Sequence, residues 1–134
     1  MAATAGYLAQ LPTFILSAEY FLGGIIRMSA FPFRVTHEQV MEKNREIAPI
    51  LYPVVPFKDV VWHNRWVGGW FIATGLLLAL PQTRGNASTL GLVLFWSGAL
   101  TYSQVKAGMP YGLPVANAFL GGLVWWLENR WLHR

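Results

Sequence analysis

Four long apolar segments, set apart by Pro/Gly-marked or polar stretches, constrain this chain more than any other feature of its sequence. The first runs from about Tyr7 to Ala30, the second from about Val60 to Leu80, the third from about Thr89 to Lys106 and the fourth from about Leu113 to Leu132. Each is about 18 to 24 residues, which at about 1.5 Å per residue covers about 30 Å of hydrocarbon. Lipid offers backbone N–H and C=O groups no partner, so a spanning segment satisfies them internally, as a helix. Four such helices with short loops predict an all-α, integral membrane four-helix bundle, up-down-up-down, forming a single domain over residues 1–134.

Composition agrees. Only 12% of residues are charged, against roughly 25% in soluble domains. The net charge of +4 comes from scattered Lys and Arg rather than a basic stripe, so no nucleic-acid partner is expected. With no cysteine, disulfides, thiolate metal sites and cysteine nucleophiles are excluded. The opening "MAATAGYLAQ" has no basic residue ahead of its apolar run, so the first helix is expected to stay as an anchor rather than act as a cleaved signal peptide.

The long polar connection, Pro32 to Lys58, contains "THEQVMEKNREIAP". Thr36 with Gln39 three residues on reads as a capping box. Val40, Ile47 and Leu51 then recur near helical spacing, predicting a short amphipathic helix on the membrane surface. "LYPVVPFKDVV" re-enters, broken by Pro53 and Pro56. Trp62 and Trp66 at one end and Trp125, Trp126 and Trp131 at the other suit the membrane interface. Three Gly-Gly pairs, at 23–24, 68–69 and 121–122, suggest close helix approach or room for a ligand. Arg34, Lys43, Arg45, Lys58 and Lys106 lie on the long-loop side, against Arg84, Arg130 and Arg134 on the other; the count leans to a cytoplasmic long loop. A multi-pass protein of the endoplasmic reticulum is the expected setting.

Against this background Glu19, midway along the first segment, stands out. A charge at the bilayer centre costs about 2.5–3.5 kcal/mol on insertion scales, so it faces the bundle, pairs or stays protonated. Glu19, Gly23 and Arg27 are four apart and share a helix face. A second cluster, "KDVVWHNRWVGG", puts Asp59 and His63 at i and i+4, where Asp59 is expected to orient the imidazole. Asn64 and Arg65 follow. Helix starts favour acids and membrane edges tolerate charge, so the ordinary reading of this cluster stands beside the catalytic one. Gln104 and Tyr102 close the third segment and Asn117 opens the fourth; an Asn there also serves as an interhelical hydrogen bond. Glu128, near Arg130, reads as an edge residue.

Antiparallel packing would bring Arg27, Asp59, His63, Asn64, Gln104 and Asn117 to one end of the bundle, with Glu19 at the floor and the surface helix as a lid. Candidate catalytic residues are thus Glu19, Asp59 and His63; candidate substrate contacts are Arg27, Asn64, Arg65, Gln104 and Asn117. No metal-ligand spacing, phosphate loop or nucleophile elbow is present, so neither metal nor cofactor is expected. Carboxylates, one imidazole and amides in an apolar pocket suit proton transfer on a lipophilic substrate arriving from the membrane lipid. Epoxide opening, isomerisation and cyclisation all fit.

The segments "KDVVWHNRWVGGWFIATGLLLALPQTRGNASTLGLVL" and "GMPYGLPVANAFLGGLVWW" resemble the DoxX-like membrane proteins, especially fungal members. Similar small fungal membrane proteins belong to polyketide pathways such as those of aurovertin and citreoviridin, assigned as epoxide hydrolases that open and cyclise polyene epoxides. The resemblance implies that activity here. It also admits a non-enzymatic partner or chaperone, in which Glu19 and Arg27 pair to specify packing. A third reading is a proton-coupled transporter, which would have to form a homo-oligomer to make a path.

Overall fold

The computed structural model describes the backbone of residues 2–131 and the side chains of residues 9–130. Leu132 and Arg134, and the side chains of Tyr7 and Trp131, lie outside the described residues. Every described regular element is helical: α1 (Ala2–Met28), α2 (Arg34–Leu51), α3 (Val60–Ala79), α4 (Ala87–Lys106) and α5 (Gly112–Trp126), the last running into a π-helical turn, Leu127–Trp131.

α1 packs along α3, α3 touches α4, α4 packs on α5, and α5 returns to α1. This closes a ring in which α1 and α4 stand diagonally opposed. α2 crosses one end and meets α1, α3 and α4. The core is a string of inward side chains, among them Leu16, Tyr20, Val67, Phe71, Val93, Trp96 and Val124. Phe71 meets Tyr20 and Trp96 edge-on, with centroids at 5.0 and 5.6 Å. Such offset geometry suits the aromatic quadrupoles.

The tightest seam joins α1 to α3. A Cβ placed on Gly24 would lie 2.6 Å from the Gly68 carbonyl oxygen, and one on Gly68 would lie 2.9 Å from the Gly24 carbonyl oxygen. Only hydrogen at both positions lets the two backbones come this close. Ser17 adds a hydrogen bond to the Gly75 carbonyl oxygen at 2.8 Å. One member of each Gly-Gly pair serves packing: Gly24, Gly68 and, against Val93, Gly121. Gly69 and Gly122 face open space.

Three expectations change. The capping box does not form: α2 begins at Arg34, its N-cap Phe33 makes no side-chain cap, and Thr36 lies inside the first turn. The exposed Arg34–Glu38 pair at 3.2 Å supports that turn instead. α2 is also less a surface helix than a docked one, burying Asn44, Ile47, Ala48 and Leu51 against the bundle. A His37 ring nitrogen donates to the Ile26 carbonyl oxygen, tying its start to α1. Glu128 is not an edge residue. It is buried and lies 3.8 Å from Arg84 across the α3–α4 turn.

Among the described residues one helix, over Ala9–Met28, is long and apolar enough to cross a membrane. The reason is compositional. α3 opens on His63, Asn64 and Arg65, α4 is rich in Ser, Thr and Gly, and α5 has only 15 α-helical residues.

Candidate functional site

Along part of its length the diagonal between α1 and α4 is not filled. A cavity of about 220 Å³ lies there, closed by α5 on one side and touched by Phe71 of α3 and Lys43 of α2. Its polar lining is Glu19, Tyr20 and Arg27 from α1, Ser97 and Gln104 from α4, and Asn117 from α5. Leu100, Leu113 and Pro114 supply apolar wall.

Helical periodicity explains the α1 contribution. Glu19, Gly23 and Arg27 recur every four residues and so follow one stripe. Over eight residues they separate by about 12 Å along the axis, which puts an acid toward one end of the cavity and a cation toward the other. Glu19 is half-buried, and Asn117 lies within hydrogen-bonding reach of its carboxyl. Its Oε2 is enclosed without a partner, as are Ser97 Oγ, Asn117 Oδ1 and Arg27 Nε. Buried polar atoms are nearly always paired, and these four belong to residues that line this one cavity.

Arg27 donates from Nη1 to the Gly23 carbonyl oxygen at 3.0 Å and lies over the Phe71 ring at 4.5 Å. A Cβ at 23 would be 3.2 Å from Nη1, so the guanidinium would have to give by a few tenths of an ångström. Arg27 pairs with no carboxylate. Among the described residues the ion pairs are Arg34–Glu38 and Arg84–Glu128, so a Glu19–Arg27 pair that specifies packing does not form. At the same end Gln104, with its amide nitrogen turned to the Pro110 carbonyl oxygen, accepts from Lys43 Nζ at 3.2 Å. Burial first, and the Arg27 charge second, hold Lys43 below the ordinary lysine range.

Of the eight residues singled out from sequence, four line the cavity: Glu19, Arg27, Gln104 and Asn117. The Asp59 cluster does not. Asp59 has extended dihedrals (φ −69°, ψ 128°) at the N-cap of α3 and is exposed. It is not yet on the helix, so the i, i+4 stacking rule does not apply, and its contact with His63 is the backbone bond from His63 N–H to Asp59 O at 2.9 Å. His63 is buried with Nδ1 unpartnered, but off the cavity wall. Asn64 turns to α2, accepting from Asn44 Nδ2 at 2.6 Å and facing Met41 Sδ at 2.7 Å. Arg65 is exposed and stacks at 4.9 Å on Trp62.

Sequence reasoning missed Tyr20, Lys43 and Ser97. Ser97 carried a signal, a lone hydroxyl in "LFWSGAL". Lys43 carried a weaker one, one helical turn ahead of buried Ile47. Tyr20 looked like core, and in part is: its hydroxyl donates to the Val93 carbonyl oxygen at 3.3 Å.

Comparisons with known protein families, with curated proteins and with solved structures found no match to this chain.

Proposed function

We propose that the chain is a multi-pass membrane enzyme that opens a lipophilic epoxide, by water or by an internal hydroxyl, with Glu19 as the acid. The observation that carries this reading is the Glu19 carboxyl itself, half-buried with Oε2 unpartnered on a mostly apolar cavity and neighboured by Asn117. Such a carboxyl delivers a proton without a competing ion pair.

The step balances on one residue. Protonated Glu19 donates to the epoxide oxygen as a ring C–O bond breaks, giving a hydroxyl. The oxygen of water, or of a hydroxyl within the substrate, bonds to the freed carbon and releases its proton to the Glu19 carboxylate. The products are a diol or a cyclic ether, and Glu19 is protonated again. Asn117 holds the carboxyl in place between the two transfers. Asp59 and His63, away from the cavity, take no part.

The bundle surface supports the membrane setting. Phe14, Leu94, Phe95, Phe119 and Leu123 point outward, Phe119 at 77% exposure, and apolar surface spread over several outer faces suits lipid. The polar residues that lower the mean hydropathy of α3 are partly hidden: His63 and Asn64 face inward at 1% and 0% exposure. The endoplasmic-reticulum location and a polyene polyketide substrate follow from the DoxX-like resemblance.

The test is turnover of lipophilic polyene epoxides in heavy-oxygen water by purified protein and by Glu19→Gln. Label or cyclised product from the wild type alone, with both proteins folded by thermal unfolding, is the expected result. A fully active folded Glu19→Gln removes Glu19 from the chemistry.

A further inference from the structure

The cavity has two cations at one end, and among the described residues its wall there carries no acid. Arg27 Nη1 is committed to the Gly23 carbonyl, which leaves the Nε edge of the guanidinium unpartnered. Lys43 reaches the cavity from α2 with Gln104 as its neighbour. Glu42 and Glu46 share an outer groove with Lys43 but neither pairs with it. Arg27 Nε is enclosed without an acceptor and Lys43 is half-buried beside it; like charges facing one space repel, and an anion between them relieves both. The lowered Lys43 pKa, from burial and from Arg27, has the same origin.

The size and shape of the space narrow the anion's class. At about 220 Å³ the cavity falls below the range of about 300–1,000 Å³ common for drug-sized ligands, so it holds a head and a short stretch of chain. Ser97 lines both this cavity and an open groove of about 520 Å³ on the outer face of α4 and α5, where Leu94, Tyr102, Val115 and Phe119 form apolar walls. Ser97 is the residue the two spaces share, which makes it the nearest point at which a tail could pass from one to the other. One guanidinium edge and one ammonium match a two-oxygen anion. A phosphate monoester, with three oxygens and a charge of about −1.5 to −2, asks for more donors than remain.

We infer that the site takes a lipophilic monocarboxylate, its carboxylate between Arg27 and Lys43, its reacting carbon at Glu19 and its hydrocarbon leaving past Ser97 into the α4–α5 groove. This rests on the reading of the cavity as the substrate site, and it adds the substrate's class and polarity. The axial offset of about 12 Å between Arg27 and Glu19 keeps the anionic head away from the acid that must hold its proton.

Binding is measured on the full chain in detergent by calorimetry at neutral pH, against protein-free micelles, with dodecanoic acid, its methyl ester, 1-dodecanol and dodecyl phosphate. The wild type is expected to bind the acid at least about tenfold more tightly than the ester or alcohol, the scale of a charged hydrogen bond, and more tightly than the phosphate. Arg27→Gln and Lys43→Gln each lose about tenfold for the acid and leave the ester unchanged, while Glu19→Gln keeps acid binding. Thermal unfolding checks each variant; if Arg27→Gln does not fold, Lys43→Gln carries the test from a helix outside the ring. Equal binding of acid and ester, tighter binding of the phosphate, no acid binding, or full acid affinity in folded Lys43→Gln overturns the inference. Epoxide turnover without acid preference sinks the carboxylate and leaves the hydrolase; acid preference without turnover does the reverse.

Discussion

Replacing Gly24 with alanine tests the α1–α3 seam that sets the width of the cavity. The new Cβ would sit 2.6 Å from the Gly68 carbonyl oxygen, 2.6 Å from Ile72 Cγ1 and 3.0 Å from the Ile72 nitrogen. Two of those atoms are backbone and cannot swing aside, so the helices must part by several tenths of an ångström. Overpacking a tight contact costs about 1–3 kcal/mol, and rigid obstruction places this case near 3. Alanine returns about 1 kcal/mol over glycine in helix propensity. The net is a loss of about 2 kcal/mol, or roughly 8 °C in Tm for a chain of 134 residues. Gly69→Ala is the control: its Cβ meets nothing within 4 Å, so only propensity changes and Tm rises by roughly 4 °C. Thermal unfolding in one detergent, followed by circular dichroism, reads both. A Gly24→Ala protein as stable as the wild type would refute the close approach, and a Gly69→Ala protein that fell equally would refute the assignment of faces.

Asn44→Ala leaves Asn64 buried without its donor and should cost about 1–3 kcal/mol, read as a lower unfolding midpoint with epoxide turnover per folded molecule retained. Asp59→Asn should change turnover less than twofold, because Asp59 is exposed and off the cavity wall; a large loss there would restore the Asp59–His63 pair to the mechanism. Lys43 titrates below its ordinary 10.5 when folded, so the unfolded chain binds its proton more tightly. The penalty is complete below the folded pKa and fades as pH rises toward 10.5. Wild-type stability should therefore gain on Lys43→Gln across the alkaline range below 10.5 when it is sampled by chemical unfolding at several pH values, and no such convergence would put Lys43 in water.

Glu19, Arg27, Gln104 and Asn117 were legible as residues of the cavity wall because each is a polar group with an uncommon address in an apolar segment. Glu19 and Arg27 share a face by arithmetic alone, and that face is the one that lines the cavity. Asp59 and His63 misled because their spacing assumes a helix already formed, whereas α3 starts at Val60. The Thr36 capping box failed in a related way: the local pattern was present, but His37 holds to α1 and the helix starts three residues earlier than that pattern implies.

By itself the sequence determined that the chain is helical, roughly where its helices lie, and that an acid in the first of them needs an explanation. Those conclusions depend on local quantities: apolar length, Pro and Gly punctuation, and the cost of a charge away from water. Tertiary structure alone decided that α1 and α4 are diagonal partners with space between them, that Lys43 reaches that space from α2, and that Arg27 stacks on Phe71 without meeting an acid. Such facts depend on how helices rotate about their axes when they pack. That rotation is fixed by contacts between residues far apart in the chain, above all Gly24 against Gly68; the local Gly-Gly pattern marks a close approach but does not say which glycine meets which.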